Sequence, residues 1–396
     1  MQRVRIGIIG GGASVEWAIL PALLGPDVLS PPDNGAWWSR RPSPAGDIRY
    51  QAPASPEVVA LCDAETEKGG KISPRLLILG RAAPGATLYA SPEAMLREMP
   101  LDALIIAGNE ADIDVAALVS LVAGVPGARF GIAPPRWIWI DGAPAQTVAR
   151  LGVFARASGG GPSLWIAAPL RRAAAHRAAR RLLERDGIGA VSAIQARFPF
   201  ALDAARFDAA FAAFDLLLSF VEGGLGAPRE VWAARSADGA AQVLLKLASG
   251  ATISALFGAA DAWNSPWPRL EICGTQGRSM VCEGGRRLWH YVPREGARMW
   301  EPPGLAAHVS APNLAGYGED LKAFLEVCVN NPAPFNAERA LGGAARALGA
   351  LETAFTSLEN GTLQPIEARG ALPAATGISQ EHDSPLPPRN LTLELG

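Results

Sequence analysis

The residues best placed to bind a ligand lie at the start of the chain. Gly10-Gly11-Gly12-Ala13-Ser14-Val15 sits between an apolar run, Val4–Ile9, and a stretch of helical periodicity from Glu16 to Leu24. A glycine turn between a buried strand and a helix is the setting of a dinucleotide fingerprint. Gly10 permits the turn, and Gly12, with Ala13 beside it, lets the backbone approach a pyrophosphate at the helix start. Val15 replaces the third glycine of that pattern and would hold the helix away from the strand. Glu16 puts a negative charge near the helix start, where it either complements the dipole or opposes a phosphate. A second strand, Val58–Cys62, ends at Asp63, a carboxylate placed to hydrogen-bond a ribose diol and to repel a 2′-phosphate. NAD is therefore expected in preference to NADP. Asp63 follows Gly12 by 51 residues, where ~20 is usual, and a Pro-rich insertion over 26–55 with Trp37, Trp38 and Tyr50 accounts for the excess.

A second constellation is acidic. Asp208 and Asp215 are seven residues apart, two helical turns, and so share a face. Paired carboxylates can do acid/base work if their surroundings separate their pKa values; otherwise they are helix-surface or capping groups. Asp141, Glu110 and Asp112 are candidate neighbours. The four histidines, His176, His290, His308 and His382, stand in no recognisable catalytic context and read as surface or structural residues. Cys62, Cys273, Cys282 and Cys328 lack CxxC spacing and a nearby histidine cluster, so they read as small buried residues of a reducing compartment. The arginines at 171, 172, 177, 180, 181 and 185 fall at helical spacing and read as a solvated helix face.

These residues require a particular scaffold. Strand-like segments at 4–9, 58–62, 102–107, 137–140 and 164–167 alternate with helical ones at 16–24, 91–95, 111–123 and 144–157. Such alternation marks a parallel, doubly wound sheet. After Pro169 the pattern changes to a basic helix (173–186), a strand (191–198), a helix (205–222), and strand-like stretches across 229–292. Two helices follow, Glu319–Val329 and Ala337–Glu359. The expected fold class is α/β, with an N-terminal Rossmann domain over 1–168 and a C-terminal α+β domain over 169–365 built on a largely antiparallel open sheet. Residues 366–396 read as a tail or arm.

With 396 residues, two domains are the default. Apolar residues at 49% and charged residues at 19% allow large cores. The 36 basic and 38 acidic residues leave a net charge of −2, so no global field points to nucleic acid or an anionic membrane. Glycines interrupt the first apolar run, which argues against a signal peptide. No window reaches the ~18 apolar residues of a membrane span. A cytoplasmic protein acting on a small molecule is expected.

Taken in order and spacing, several segments resemble the glucose–fructose oxidoreductase / inositol dehydrogenase / MocA family over roughly residues 3–365. They are the glycine turn with Leu20-Pro21-Ala22-Leu23, Val58–Asp63, Tyr89-Ala90-Ser91-Pro92-Glu93, and Asp102–Ala107. Gly187–Val191, Glu271–Gly277 and Gly316–Phe324 continue the series. The resemblance implies an NAD(P)-dependent oxidoreductase acting on sugar-like or other small polar substrates. Cofactor contacts are expected from Gly10, Gly12, Ala13, Asp63 and Asn109. It also implies a Glu-Lys-Pro sequence after a strand, a helix carrying Asp-x-x-x-His-x-x-Asp, and a Pro-x-x-x-His turn. Here Asp141-Gly142-Ala143 puts Gly142 at the lysine position, and the alternative match, Ala133-Pro134-Pro135, also lacks lysine. Asp208 to Asp215 keeps both aspartates but puts Ala212 at the histidine position. Asn109-Glu110-Ala111-Asp112-Ile113 replaces the turn. Arg172 falls where the family carries an arginine in a Tyr-Arg pair. The residues left for chemistry are Asp208, Arg172 and Asp215. Three readings follow: an oxidoreductase-type nucleotide-binding protein with little or no redox turnover, a catalytically inactive binding or partner subunit, and non-redox catalysis by carboxylates. Resembling proteins pair through the open sheet face, so a homo-oligomer is expected.

Overall fold

The computed structural model describes residues 2–24, 54–62, 72–107, 115–124, 135–151, 162–221, 227–259, 268–300, 316–330 and 337–366. The expected insertion at 26–55 lies outside this range apart from Ala54 and Ser55. So do Asp63, Asn109, Glu110, Asp112, His308, His382 and the tail beyond Ile366.

The first sheet has six strands: β1 (Gln2–Ile9), β2 (Ala54–Cys62), β3 (Thr87–Tyr89), β4 (Ala103–Ala107), β5 (Trp137–Asp141) and β6 (Ser163–Ile166), in the order β3-β2-β1-β4-β5-β6. Every pairing is parallel. Both faces are covered, and β4 is buried along its whole length, as its unbroken apolar run requires. Between β1 and β2 a π turn, Val15–Ile19, leads into α1 (Leu20–Leu24). Helix α2 (Pro74–Ala82), absent from the sequence expectations, and helix α3 (Pro92–Glu98) start for the same reason. The Ser73 Oγ accepts from the Leu76 N–H at 3.1 Å, the Ser91 Oγ accepts from the Ala94 N–H at 3.2 Å, and each serine is followed by proline. Helix α4 (Val115–Gly124) precedes β5. Of the expected helix at 144–157, residues 148–151 are helical and 152–161 are not described.

After β6, the short α5 (Pro169–Arg172) and α6 (Ala174–Glu184) lead to a nine-stranded sheet. Its strands are β7 (Val191–Phe198), β8 (Pro228–Arg235), β9 (Ala241–Leu247), β10 (Thr252–Phe257), β11 (Arg269–Gly274), β12 (Ser279–Glu283), β13 (Arg287–Val292), β14 (Gly296–Trp300) and β15 (Gln364–Pro365). The order is β14-β13-β12-β11-β7-β10-β9-β8-β15, and among the described residues β7–β10 is its one parallel pair. Burial alternates strictly along β9, where Val243, Leu245 and Leu247 point inward and Gln242, Leu244 and Lys246 outward. One face is therefore packed and the other open. Helix α7 (Phe207–Ser219) and helix α9 (Ala337–Asn360) pack on the inner face, where Phe198, Phe214 and Phe257 stack.

Helix α8 (Tyr317–Asn330) departs from the simple division of the chain at 168/169. Its Leu321, Phe324 and Leu325 join the core formed by Val4, Ile6, Val15 and Ile19 on the first sheet. A segment distant in sequence thus closes one side of the Rossmann unit. Among the described residues, no helix is long and apolar enough to cross a membrane.

Candidate functional site

The glycine turn has the backbone its sequence demands. Gly10 has φ +114°, open to glycine at little cost, and its N–H donates to the Cys62 carbonyl at 2.8 Å, tying the turn to the end of β2. Gly12 and Ala13 form the outer, solvent-reached edge of the turn. Val15 does not expel the helix. It is fully buried, and the helix begins as a wider π turn where the fingerprint would have glycine. Glu16 forms an ion pair with Arg75 of α2 at 3.9 Å, which offsets part of its charge. Asp63 and Asn109, the other expected cofactor contacts, lie outside the described residues.

At the carboxyl end of β5 the chain turns sharply at Gly142, with φ +89°. A Cβ there would lie 2.6 Å from the Asp208 Oδ1. Asp208 comes this close because its Oδ1 accepts from the Ala143 N–H at 2.9 Å. Position 142 is therefore glycine for two separate reasons, left-handed backbone and close approach of a carboxylate. A lysine side chain could leave this point only if Asp208 moved. Ala212, one turn further along α7 from Asp208, carries no group that titrates.

Asp141 itself is partly exposed yet crowded. The Tyr317 hydroxyl donates to its Oδ1 at 3.0 Å, and Ser14 from the glycine turn is hydrogen-bonded to it. Loss of hydration, together with the negative charges of Asp208 and Asp320, pushes its carboxyl up to about 6 against the effect of those hydrogen bonds. Burial, with the Asp141 charge next, pushes the Tyr317 hydroxyl well above the usual phenol range, so Tyr317 stays a neutral donor.

Below this group lies Asp320, fully buried on α8. It accepts from the Trp139 Nε1–H at 2.8 Å, the Trp165 Nε1–H at 3.0 Å, the Ala168 N–H at 3.4 Å and the Arg172 Nε–H at 2.8 Å. The guanidinium of Arg172 also stands over the Trp165 ring, 5.3 Å from its centroid.

Asp208 and Asp215, which share a face of α7, meet different partners. Asp215 is bound bidentately by Arg171, with Nε–Oδ2 at 2.5 Å and Nη2–Oδ1 at 2.6 Å, while Asp208 meets the backbone after β5. Such a bidentate contact ties α7 to α5. The arginine run is not simply a solvated face either. Arg171 pairs with Asp215, Arg172 with Asp320, and Arg177 with Glu319 at 2.9 Å. His176 is structural as expected: it is fully buried, its Nδ1 lies 2.7 Å from the Leu170 carbonyl, and burial holds its pKa down at about 4. Of the cysteines, Cys62 and Cys282 are buried, whereas Cys273 and Cys328 are only partly so. Among the described residues no group of three or more side chains could hold a metal ion.

The sequence places Tyr317 and Asp320 within a closing segment and Ser14 within the glycine turn, without a role for any of the three. One signal was present. Trp139 and Trp165 sit on adjacent buried strands, and a buried indole N–H needs an acceptor from somewhere.

The raised pKa of Asp141 has a testable sign. Between about pH 4 and 6 the folded state keeps a proton that the unfolded state releases, so ionisation of Asp141 lowers stability as pH rises. Asp141→Asn keeps an acceptor for Tyr317 but removes this titration. Relative to wild type, the variant should gain on the order of 1 kcal/mol between pH 5 and pH 8. Chemical denaturation at both pH values measures it, and an unchanged difference between the two proteins would refute the assignment.

No family model matches this sequence, and no curated protein matches it. Solved structures do. An oxidoreductase from Agrobacterium radiobacter, in complex with NAD+, L-tartaric acid and magnesium, aligns at 17% identity over 93% of this chain and 100% of its own, with TM-score 0.66. A levoglucosan dehydrogenase in complex with NADH and levoglucosan aligns at 15% identity over 92% and 99%, TM-score 0.66. The super-repressor mutant of Gal80p from Saccharomyces cerevisiae aligns at 14% identity over 92% and 98%, TM-score 0.66. At such identities the likeness speaks for the fold. The parallel six-stranded sheet and the mixed nine-stranded sheet give this chain the two-domain fold of glucose–fructose oxidoreductase / inositol dehydrogenase / MocA-type oxidoreductases.

Proposed function

We propose that this protein binds NAD(H) in the Rossmann crevice and a small polar ligand beside it, without the alcohol dehydrogenation that a lysine and a histidine support. The observation that carries this reading is the contact between Gly142 and Asp208. It puts a carboxylate where the resemblance expects a cation. An alkoxide developing there would face the carboxyl groups of Asp208 and Asp141, and loss of stabilisation by a fixed positive charge costs ~10²–10³ in rate. Loss of proton transfer costs a further ~10²–10⁴.

The turn fits a dinucleotide. Its exposed edge at Gly12 and Ala13 would hold the pyrophosphate, and Asp63 at the end of the second strand would take the adenosine ribose. When bound, the nicotinamide supplies hydride chemistry. The chain's own residues around it would bind and orient a ligand through Arg172 and hold a proton at Asp141 or Tyr317. A second reading, a partner subunit without turnover, is favoured by the absence of a titrating group at both 142 and 212. The likeness to Gal80p, solved as a super-repressor mutant, supports it. Non-redox acid/base work by Asp208 with Asp215 is disfavoured by the commitment of Asp215 to Arg171.

Titrating the protein with NADH and NADPH while following tryptophan quenching should give saturable binding of NADH in preference to NADPH. Turnover of a sugar and polyol panel with NAD should be absent or barely above background. No response to either nucleotide would remove the binding reading, and brisk polyol oxidation would remove the account of Gly142.

For assembly, we propose pairing through the open face of the nine-stranded sheet. Cross-strand neighbours there run Trp232, Leu244, Ser254, Gln195 and Glu271, then buried Val281, then Trp289 and Met299, apolar at both ends and polar in the middle. Leu244 at 38% and Met299 at 50% exposure are costly to leave in water. Sedimentation at micromolar concentration should show a dimer that Leu244→Glu weakens, whereas a wild-type monomer would end this proposal.

A further inference from the structure

Arg172 is held on one edge and on one face. Its Nε–H edge is taken by the fully buried Asp320, and one face of its guanidinium stands over Trp165. Its side chain is nonetheless 36% exposed, and its terminal nitrogens have no partner among the described residues. The backbone beneath is equally fixed. Gly316, at φ +85°, packs so tightly on the Pro169 carbonyl that a Cβ would clash with it and lie 2.7 Å from the Ala173 nitrogen. A guanidinium held on one edge and one face presents the remaining fork ready for a carboxylate.

The opposite pole lies close by. Strands β5 and β6 are neighbours, with the Ala167 N–H donating to the Ile140 carbonyl at 2.8 Å, so Asp141 and the start of α5 share one edge of the sheet. Helix α8 spans both poles: Tyr317 reaches Asp141, and Asp320, three residues on, reaches Arg172. Their two partners on α8 are three residues apart, ~4.5 Å along the helix axis. Asp208 approaches the Asp141 side from α7.

Resting on the reading that the ligand sits at the carboxyl ends of the strands, we infer that this cleft binds a small amino carboxylate in its zwitterionic form. The carboxylate lies on the open fork of Arg172 and the ammonium group between Asp141 and Asp208. A neutral polyol offers neither charge. A dicarboxylate would bring its second anion towards Asp141 and Asp208, and a metal ion lacks the three or more ligating side chains a site would need among the described residues. The ligand carries the two charges opposite to those of Arg172 and of Asp141 with Asp208, and the wrong partners are repelled as well as unattended.

The test uses the full-length protein without added nucleotide. Glycine, β-alanine and 4-aminobutyrate are titrated by calorimetry beside propionate, propylamine and glycerol. At least one amino carboxylate should bind saturably, with the single-charge compounds roughly tenfold or more weaker. Arg172→Leu and Asp141→Asn should each weaken that binding roughly ten- to a hundredfold. Arg172→Lys, which keeps the charge and loses the fork, should fall between. Wild-type binding should be tighter at pH 8 than at pH 5, because Asp141 ionises near 6 among Asp208, Asp320, Tyr317 and Ser14. Propionate binding as tightly as β-alanine, no saturable amino carboxylate, or an Arg172→Lys protein that binds as wild type would overturn the inference. If Arg172→Leu fails to fold, the ligand comparison in wild type and the lysine variant still decide. Repeating the titration with NADH separates the two claims: nucleotide binding without amino carboxylate binding sinks only this one, and the converse sinks only the nucleotide site.

Discussion

A buried carboxylate with four donors organises this molecule. Stripping Asp320 of water costs several kcal/mol, and only well-aligned donors offset it. Two indole N–H groups from adjacent strands, a backbone N–H before α5 and the Arg172 guanidinium supply them. Burial still pushes the Asp320 pKa above the usual carboxylate value, and the four donors act against that rise. Removing the carboxylate would leave two indoles and a guanidinium without their acceptor. The constraint reaches further than the ion pair. It seats α8 on the first sheet, which delivers Tyr317 to Asp141, and it fixes which edge of Arg172 is left open.

Given that seat, the electrostatics of the cleft follow from backbone geometry. Gly142 turns with positive φ, and the space beside it is filled by the Asp208 carboxylate. The glycine turn and the strand order thus go together here with carboxyl groups at the end of β5. Fold and chemistry separate at one turn of chain, the general situation in which function belongs to the site rather than to the scaffold.

The sheets were legible because their signals are local. Unbroken apolar runs such as Ala103–Ala107 allow only buried parallel strands, and the strict alternation over Ala241–Leu247 allows only a half-covered one. What could not be read were the contacts between distant segments. Nothing in residues 205–222 says that Asp215 meets Arg171 while Asp208 meets Ala143, since both aspartates lie on one helix face and differ only in what packs opposite. The basic run from Arg171 to Arg185 looked solvated because its acidic partners at Asp215, Glu319 and Asp320 are far along the chain. Val15 was legible as a departure from the glycine pattern, but its remedy was not. A π turn is a backbone adjustment that no side-chain periodicity announces.

The central claim is that the end of β5 presents a carboxyl crowded by other negative charge rather than a cation. The most direct measurement is a carbon-detected magnetic-resonance titration of the Asp141 carboxyl in the folded protein. A midpoint near 6, moving downward in Asp208→Asn as one repelling charge is removed, is the result expected here. A midpoint at the ordinary aspartate value of ~3.9, unmoved by that substitution, would contradict the account.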